Sequence, residues 1–172
     1  GNDIQNKLNK LNIFLIGAGA LGCEYLKIFA LMGIANNFYS KVIVTDNDNI
    51  EISNLNRQFL FNRNNIGKPK SKIACDTIKK INNNFNCTPL ELKLDKNTEN
   101  YFNENFYNNI DIIFTAVDNN EARNYINKKC ALFNKPLIDA GTNGTKAHSQ
   151  VVIPNLSNNI IQDDDLNKAK SI

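Results

Sequence analysis

The apolar run Ile13-Phe14-Leu15-Ile16 passes directly into G-A-G-A-L-G, with glycines at Gly17, Gly19 and Gly22, and no other stretch limits the fold of this chain as much. Four apolar residues bounded by glycine read as a buried strand. The pattern that follows, with Leu21, Tyr25, Ile28 and Met32 on one face, reads as a helix. Glycines at the turn let the backbone bend sharply and approach a ligand, and the unpaired N–H groups at the start of the helix favour an anion. A second apolar run, Val42-Ile43-Val44-Thr45, ends at Asp46, about where a nucleotide-binding unit places the acid that holds a ribose hydroxyl.

Helix and strand patterns alternate through the rest of the chain. Pro69 marks the boundary of a helix from Ser71 to Ile81, with Ala74, Ile78 and Ile81 on one side. A strand is predicted over 88–94, a weaker helix over 99–106, and a strongly apolar strand over 110–117 that delivers Asp118 at its C-terminal end. A helix over 120–133 follows, with Ala122, Ile126 and Cys130 inward, and then a strand over 137–140. This order predicts an α/β fold, a doubly wound, Rossmann-like and mainly parallel sheet with helices on both faces. Ligands of such sheets bind beyond the carboxyl ends of the strands, where Gly17, Asp46 and Asp118 all emerge. Three segments distant in sequence are therefore expected to meet around one nucleotide.

At 172 residues the chain is long enough for one core, since a domain near that size buries roughly 70% of its unfolded surface. A net charge of +3 is too mild to argue for nucleic acid or a membrane surface as partner. No apolar run is long enough for a bilayer and no signal peptide is visible, which leads to an expectation of a soluble, intracellular protein. Starting at Gly1 and stopping at Ile172, it reads as an excised piece of something longer. Cys23, Cys75, Cys87 and Cys130 stand singly, without a C-x-x-C pair, so neither zinc nor a thiol nucleophile is expected. His148 has no evident partner and reads as an ordinary histidine. The 33 asparagines bunch between apolar segments and read as turn formers.

The chemistry is carried by S-N-L-N-R-Q-F-L-F, Ser53 to Phe61, which places cations just beyond the second strand. Arg57 and Lys70 could offset charge on phosphates, and Asp48 with Asp118 could hold a magnesium ion together with phosphate oxygens. Taken singly, each has an ordinary alternative: Arg57 and Lys70 as solvated charges, Asp118 as the cap of the helix starting near Asn119 or Asn120.

Four stretches are similar to the active adenylation domain of ubiquitin-activating enzymes: I-F-L-I-G-A-G-A-L-G-C-E-Y-L-K, V-T-D-N-D-N-I-E-I-S-N-L-N-R-Q-F-L-F, A-V-D-N-N-E-A-R and P-L-I-D-A-G-T-N-G-T-K. The resemblance runs from about Leu11 to Pro154. The S-N-L-N-R-Q-F-L-F segment is its most specific part, shared with the enzymes for SUMO and NEDD8 and, more loosely, with bacterial enzymes that adenylate sulfur carriers. The run from Gly141 to Lys146 and then Gln150 to Pro154 leans toward ubiquitin.

The resemblance implies ATP and Mg²⁺ as cofactors, with attack of a modifier's C-terminal carboxylate on the α-phosphate. It further implies that Gly17, Ala18 and Gly19 line the nucleotide, that Asp46 binds the ribose, and that Asn54, Arg57, Gln58 and Lys70 contact phosphates. Asp48 and Asp118 would serve the metal, with Arg57, Lys70 and Asp118 catalytic. Residues 1–10 would be an N-terminal extension, 11–156 the ATP-binding domain and 157–172 a mobile tail. Implied partners are ubiquitin or a ubiquitin-like protein, the inactive adenylation half, the catalytic-cysteine domain and ubiquitin-conjugating enzymes, in cytoplasm and nucleus. An apolar face meant for the other half would be exposed. Two rivals remain: an NAD-dependent oxidoreductase domain, which needs none of Asp48, Arg57, Lys70 and Asp118, and a catalytically silent docking half, which would have a degraded site.

Overall fold

The computed structural model describes residues 1–143 and 145–157; the expected mobile tail lies, beyond Ser157, outside the described residues, as does Gly144. Six strands form one sheet in the order β3-β2-β1-β4-β5-β6. They are β1 (Ile13–Ile16), β2 (Val42–Thr45), β3 (Cys87–Leu90), β4 (Ile112–Thr115), β5 (Leu137–Asn143) and β6 (Lys146–Val152). The first five are mutually parallel and β6 returns antiparallel along β5. Helices α1 (Asn2–Leu8), α2 (Ala20–Leu31), α3 (Lys70–Ile81), α4 (Glu104–Asn108) and α5 (Asn120–Leu132) complete the fold.

Strand alternation divides the apolar residues between two layers. Ile13, Leu15, Val42 and Val44 face α2 and α3, against Cys23, Leu26, Phe29, Ala74 and Ile78. Phe14, Ile16, Ile43 and Ile113 face the other way, against Phe102, Tyr107, Ile126 and Cys130. Because β1 is buried on both sides, all four of its residues are apolar, as a central parallel strand requires. The fold class is the one that the alternation of patterns predicts.

Several boundaries differ from the sequence expectation. The inward face of α2 is Cys23, Leu26, Phe29 and Ala30, while Ile28 and Met32 are largely exposed. Apolar residues also stand on its outer face beside the Glu24–Lys27 ion pair, so apolar spacing alone does not single out the buried stripe. Ile81 likewise lies outside the core. β3 ends at Leu90, because the following residues fold over the end of β2, where the Thr45 hydroxyl donates to the Leu92 carbonyl at 2.5 Å. The expected helix over 99–106 is displaced to Glu104–Asn108, capped by Asn103, and is preceded by a 3₁₀ turn at Lys96–Thr98 capped by Asp95. β4 is the shorter Ile112–Thr115, and β5 extends to Asn143 through its hairpin with β6.

Cys75 of α3 and Cys87 of β3 form a disulfide, a pairing that four singly placed cysteines did not reveal. Burial pushes the thiols of Cys23 and Cys130 up to about 12, which suits small core residues. The asparagines do more than fill loops: Asn62, Asn103 and Asn119 accept backbone N–H groups as helix caps. Residues 2–8 form a helix tied down by Gln5, whose Nε2 donates to the Met32 carbonyl at 2.8 Å.

Phe14 is fully buried and its ring meets those of Phe102, Phe106 and Tyr107. Phe14→Ala is expected to cost about 3–5 kcal/mol through lost burial and the cavity left behind. Denaturant unfolding checks this as a lowered midpoint, and an unchanged midpoint would contradict the packing described.

Candidate functional site

The strand order reverses direction between β1 and β4. The loop after β1 leads to α2 on one face of the sheet and the loop after β4 leads to α5 on the other, which opens a crevice between them. A cavity of about 600 Å³ lies at this point. Gly17 and Gly19, Asp46 and Asp48, Asn54, Arg57, Gln58 and Lys70, and Asp118 all line it, so the distant segments do converge.

The glycines have separable reasons. Gly17 has a φ of +99°, and a Cβ on it would lie 2.6 Å from the Ala116 carbonyl oxygen. Gly22 meets the Gly17 carbonyl oxygen in the same way, at 2.2 Å, which fixes α2 tightly against the strand. At Gly19 a Cβ would have only Gln58 Nε2 nearby, at 3.9 Å, so the space there opens on the cavity. Gly19 is also the N-cap of α2 and offers no side-chain bond, leaving the first N–H groups of the helix for another acceptor.

Asp46 joins two loops. Its Oδ2 accepts from Ala18 N at 2.7 Å and its Oδ1 from Asp48 N at 2.8 Å. Burial pushes the Asp46 carboxyl above its ordinary range, while those two N–H groups and the nearby Lys70 pull it back. Ala18 itself is fully buried and, unlike Gly17 and Gly19, is not among the residues that border the cavity. It contributes a backbone donor to Asp46 instead.

Lys70, at 8% exposure, is not a solvated surface charge; its Nζ lies 2.9 Å from Asp48 Oδ2. Arg57 is exposed and is steadied by donating to the Ser53 carbonyl at 2.8 Å and to Asn56 Oδ1 at 3.2 Å. Asn54 is buried and its Oδ1 accepts from Glu51 N at 2.9 Å, closing the turn that presents Arg57 and Gln58. Gln58 is 3% exposed, and its Oε1 has no hydrogen-bond partner among the described residues. A buried, unpaired amide oxygen bordering a cavity is costly unless a ligand or water meets it. Asp118 does not cap α5: Asn119 does, accepting from Ala122 N at 2.8 Å. The side chain of Asp118 is thereby released from the ordinary duty that its position suggested.

No group of three or more His, Cys, Asp and Glu side chains able to hold a metal exists among the described residues. Asp48 and Asp118, both bordering the cavity, suit an ion that takes one or two carboxylates and completes its shell with phosphate oxygens and water, as Mg²⁺ does. The sequence reading missed Arg123, which borders the same cavity from α5, and it missed the partner of His148, whose Nε2 lies 3.5 Å from Asp139 Oδ2. His148 meets Asp139 only once β6 pairs with β5, and Arg123 meets Asp139 only once α5 packs beside β5, so neither had a local signal. Among the described residues no helix is long and apolar enough to cross a membrane.

Fold and cavity together define a doubly wound α/β domain whose crevice is lined by a glycine turn, cations and carboxylates. The model of the ThiF family matches residues 1–169, and the chain belongs to that family. It is 47% identical over 159 residues to ubiquitin-activating enzyme E1 2 of Triticum aestivum, covering 92% of this chain and 15% of that protein. Over 158 residues it is 48% identical to ubiquitin-like modifier-activating enzyme 6 of Homo sapiens, covering 91% of this chain and again 15% of the relative. The chain thus spans about 15% of the length of these relatives. Among solved structures, E. coli MccB with AMPCPP and MccA superposes with a TM-score of 0.79 at 26% identity, covering 98% of this chain and 48% of that one.

Asp46→Asn is expected to destabilise the domain by about 1–3 kcal/mol, because an amide NH₂ would face one of two backbone donors that need an acceptor. Thermal or denaturant unfolding of the variant checks this. Unchanged stability would show that the carboxylate does not join the two loops.

Proposed function

We propose that this chain is the ATP-binding adenylation region of a ubiquitin-activating enzyme and catalyses the first step of activation. The observation that carries the reading is the single cavity in which the glycine turn, the Asp48–Lys70 pair, Arg57, the unpaired Gln58 Oε1 and Asp118 meet. The relatives named as ubiquitin-activating enzymes support it from sequence, and the AMPCPP-bound MccB supports ATP as the nucleotide.

In this reading the Gly17–Gly19 turn and the start of α2 take the phosphates, and Asp46 reaches the ribose while holding its own loop. The carboxylate oxygen of the modifier attacks the α-phosphorus, the α–β phosphoanhydride bond breaks, and pyrophosphate leaves with the electron pair. Arg57 and Lys70 neutralise charge on the phosphate oxygens, and Asn54 with Gln58 fixes their position. Magnesium, when bound through Asp48 and Asp118, would supply further charge neutralisation there. No general base is required for a carboxylate nucleophile.

An NAD-dependent oxidoreductase would have no use for Lys70 buried against Asp48 or for Asp118 at the rim, relieved of helix capping by Asn119. The exposed Ile28, Leu31 and Met32 at the end of α2 suit a docking face for the partner adenylation half. The catalytic-cysteine domain, the conjugating enzymes and a cytoplasmic and nuclear location belong to the same proposal for the whole protein.

Pyrophosphate exchange in the full-length protein, with ubiquitin, SUMO and NEDD8 supplied in turn, is the test. Exchange is expected with ubiquitin, and Asp118→Ala should lower it by about 10²-fold or more. Should parent and variant exchange at the same rate, Asp118 has no part in the step.

A further inference from the structure

Asp139, in β5, is the only acidic side chain among the described residues with no exposed surface. Its Oδ1 accepts from the Thr115 hydroxyl of β4 and lies 3.5 Å from Arg123 Nε, while its Oδ2 faces His148 Nε2 of β6 at 3.5 Å. A second nitrogen of the same guanidinium has a different partner. Arg123 Nη2 donates to the Val117 carbonyl at 3.1 Å, one residue before Asp118.

Gly141 makes this arrangement sterically possible. A Cβ there would lie 2.0 Å from Arg123 Nη2 and 2.8 Å from His148 Cε1. With no side chain at 141, the guanidinium can lie across the end of β5. One planar group therefore spans from the Val117 carbonyl, in the loop that carries Asp118, to Asp139 in the strand that runs on to Gly141 and Thr142, with Asp118, Gly141 and Thr142 all bordering the cavity. A buried ion pair recovers its desolvation cost poorly through stability alone, which makes specification of geometry the more economical role. Lysine could supply the charge, but as a single point it could not reach Asp139 and Val117 together.

We propose that Arg123 is a positioning residue: anchored by Asp139, it fixes Asp118 relative to Gly141 and Thr142, and so sets the geometry between the phosphate side and the strand-end side of the cavity. The proposal rests on the adenylation reading of that cavity. Arg123 acts through its neighbours and has no direct part in bond making.

Two conservative variants of the full-length protein, Arg123→Lys and Gly141→Ala, test it. The first keeps the charge and loses the fork; the second keeps Arg123 and displaces its guanidinium. Each is expected to lower kcat for modifier-dependent pyrophosphate exchange by about tenfold or more, with KM for ATP within about threefold of the parent, because misplacement acts on the reacting geometry. The double variant should be within about twofold of the worse single variant, since both break the same contact. Parent-like kcat in Arg123→Lys, or single effects that multiply, would overturn the proposal.

Backbone hydrogen exchange gives a readout that does not depend on which reaction the protein runs. In Arg123→Lys the amides of Ala122 and Arg123, which donate to Asn119 in the loop after β4, and those at 141–142 should lose protection together, by about tenfold, while those of β1 and α2 do not change. Unchanged protection at Ala122 and Arg123 would overturn the fastening role even if activity fell. A parent inactive with every modifier would instead defeat the adenylation reading and leave the fastening role to be decided by the amides.

Discussion

The two hydrogen bonds accepted by Asp46 hold the site together. One ties the glycine turn after β1 to the end of β2 through Ala18 N, and the other shapes the bend that carries Asp48 through its own N–H. From that bend Asp48 meets Lys70 at the start of α3, whose N–H in turn donates to the Asp48 carbonyl at 2.9 Å. A single carboxylate thereby sets the spacing between the helix start that suits an anion and the cation that would sit beside its phosphates. Its burial has a cost, visible in the upward push on its pKa, and the two backbone donors offset it.

The sheet supplies the frame in which that arrangement is useful. Because β4 lies next to β1 rather than next to β3, the loops after β1 and β4 part company, and the crevice between them receives side chains from both layers of helices. Asp118 arrives from one side, Lys70 and Arg57 from the other. Asn119 takes over the capping of α5 and Arg123 holds the Val117 carbonyl, so the position of Asp118 is fixed by its neighbours while its own side chain is left uncommitted to helix capping.

Much of this was legible in the sequence for physical reasons that are local. Strands buried on both faces must be apolar throughout, so Ile13–Ile16 and Val42–Thr45 declared themselves, and the charged residues that follow such strands fell on one edge by topology. The turn residues declared themselves as well, since Gly17 and Gly22 leave no room for a side chain. What stayed hidden depended on contacts between distant segments. The disulfide of Cys75 with Cys87, the pairing of His148 with Asp139 and the reach of Arg123 to two loops all require α3, β3, β5 and β6 to be in place first. The buried stripe of α2 was hidden for a different reason: Ile28 and Leu31 are apolar yet share the outer face with the Glu24–Lys27 ion pair, so hydrophobicity alone does not separate outside from inside. The part Ala18 plays between Gly17 and Gly19 was hidden likewise, since its N–H donates to Asp46, 28 residues away in sequence.

The central claim is that cations and carboxylates from separate segments share one metal-bound triphosphate in this cavity. Calorimetric titration of the full-length protein with ATP, in the presence and absence of magnesium, and with NAD, addresses it most directly. The account predicts saturable heat with ATP that strengthens when magnesium is added, and none with NAD. Saturable binding of NAD with no response to ATP and magnesium would contradict it.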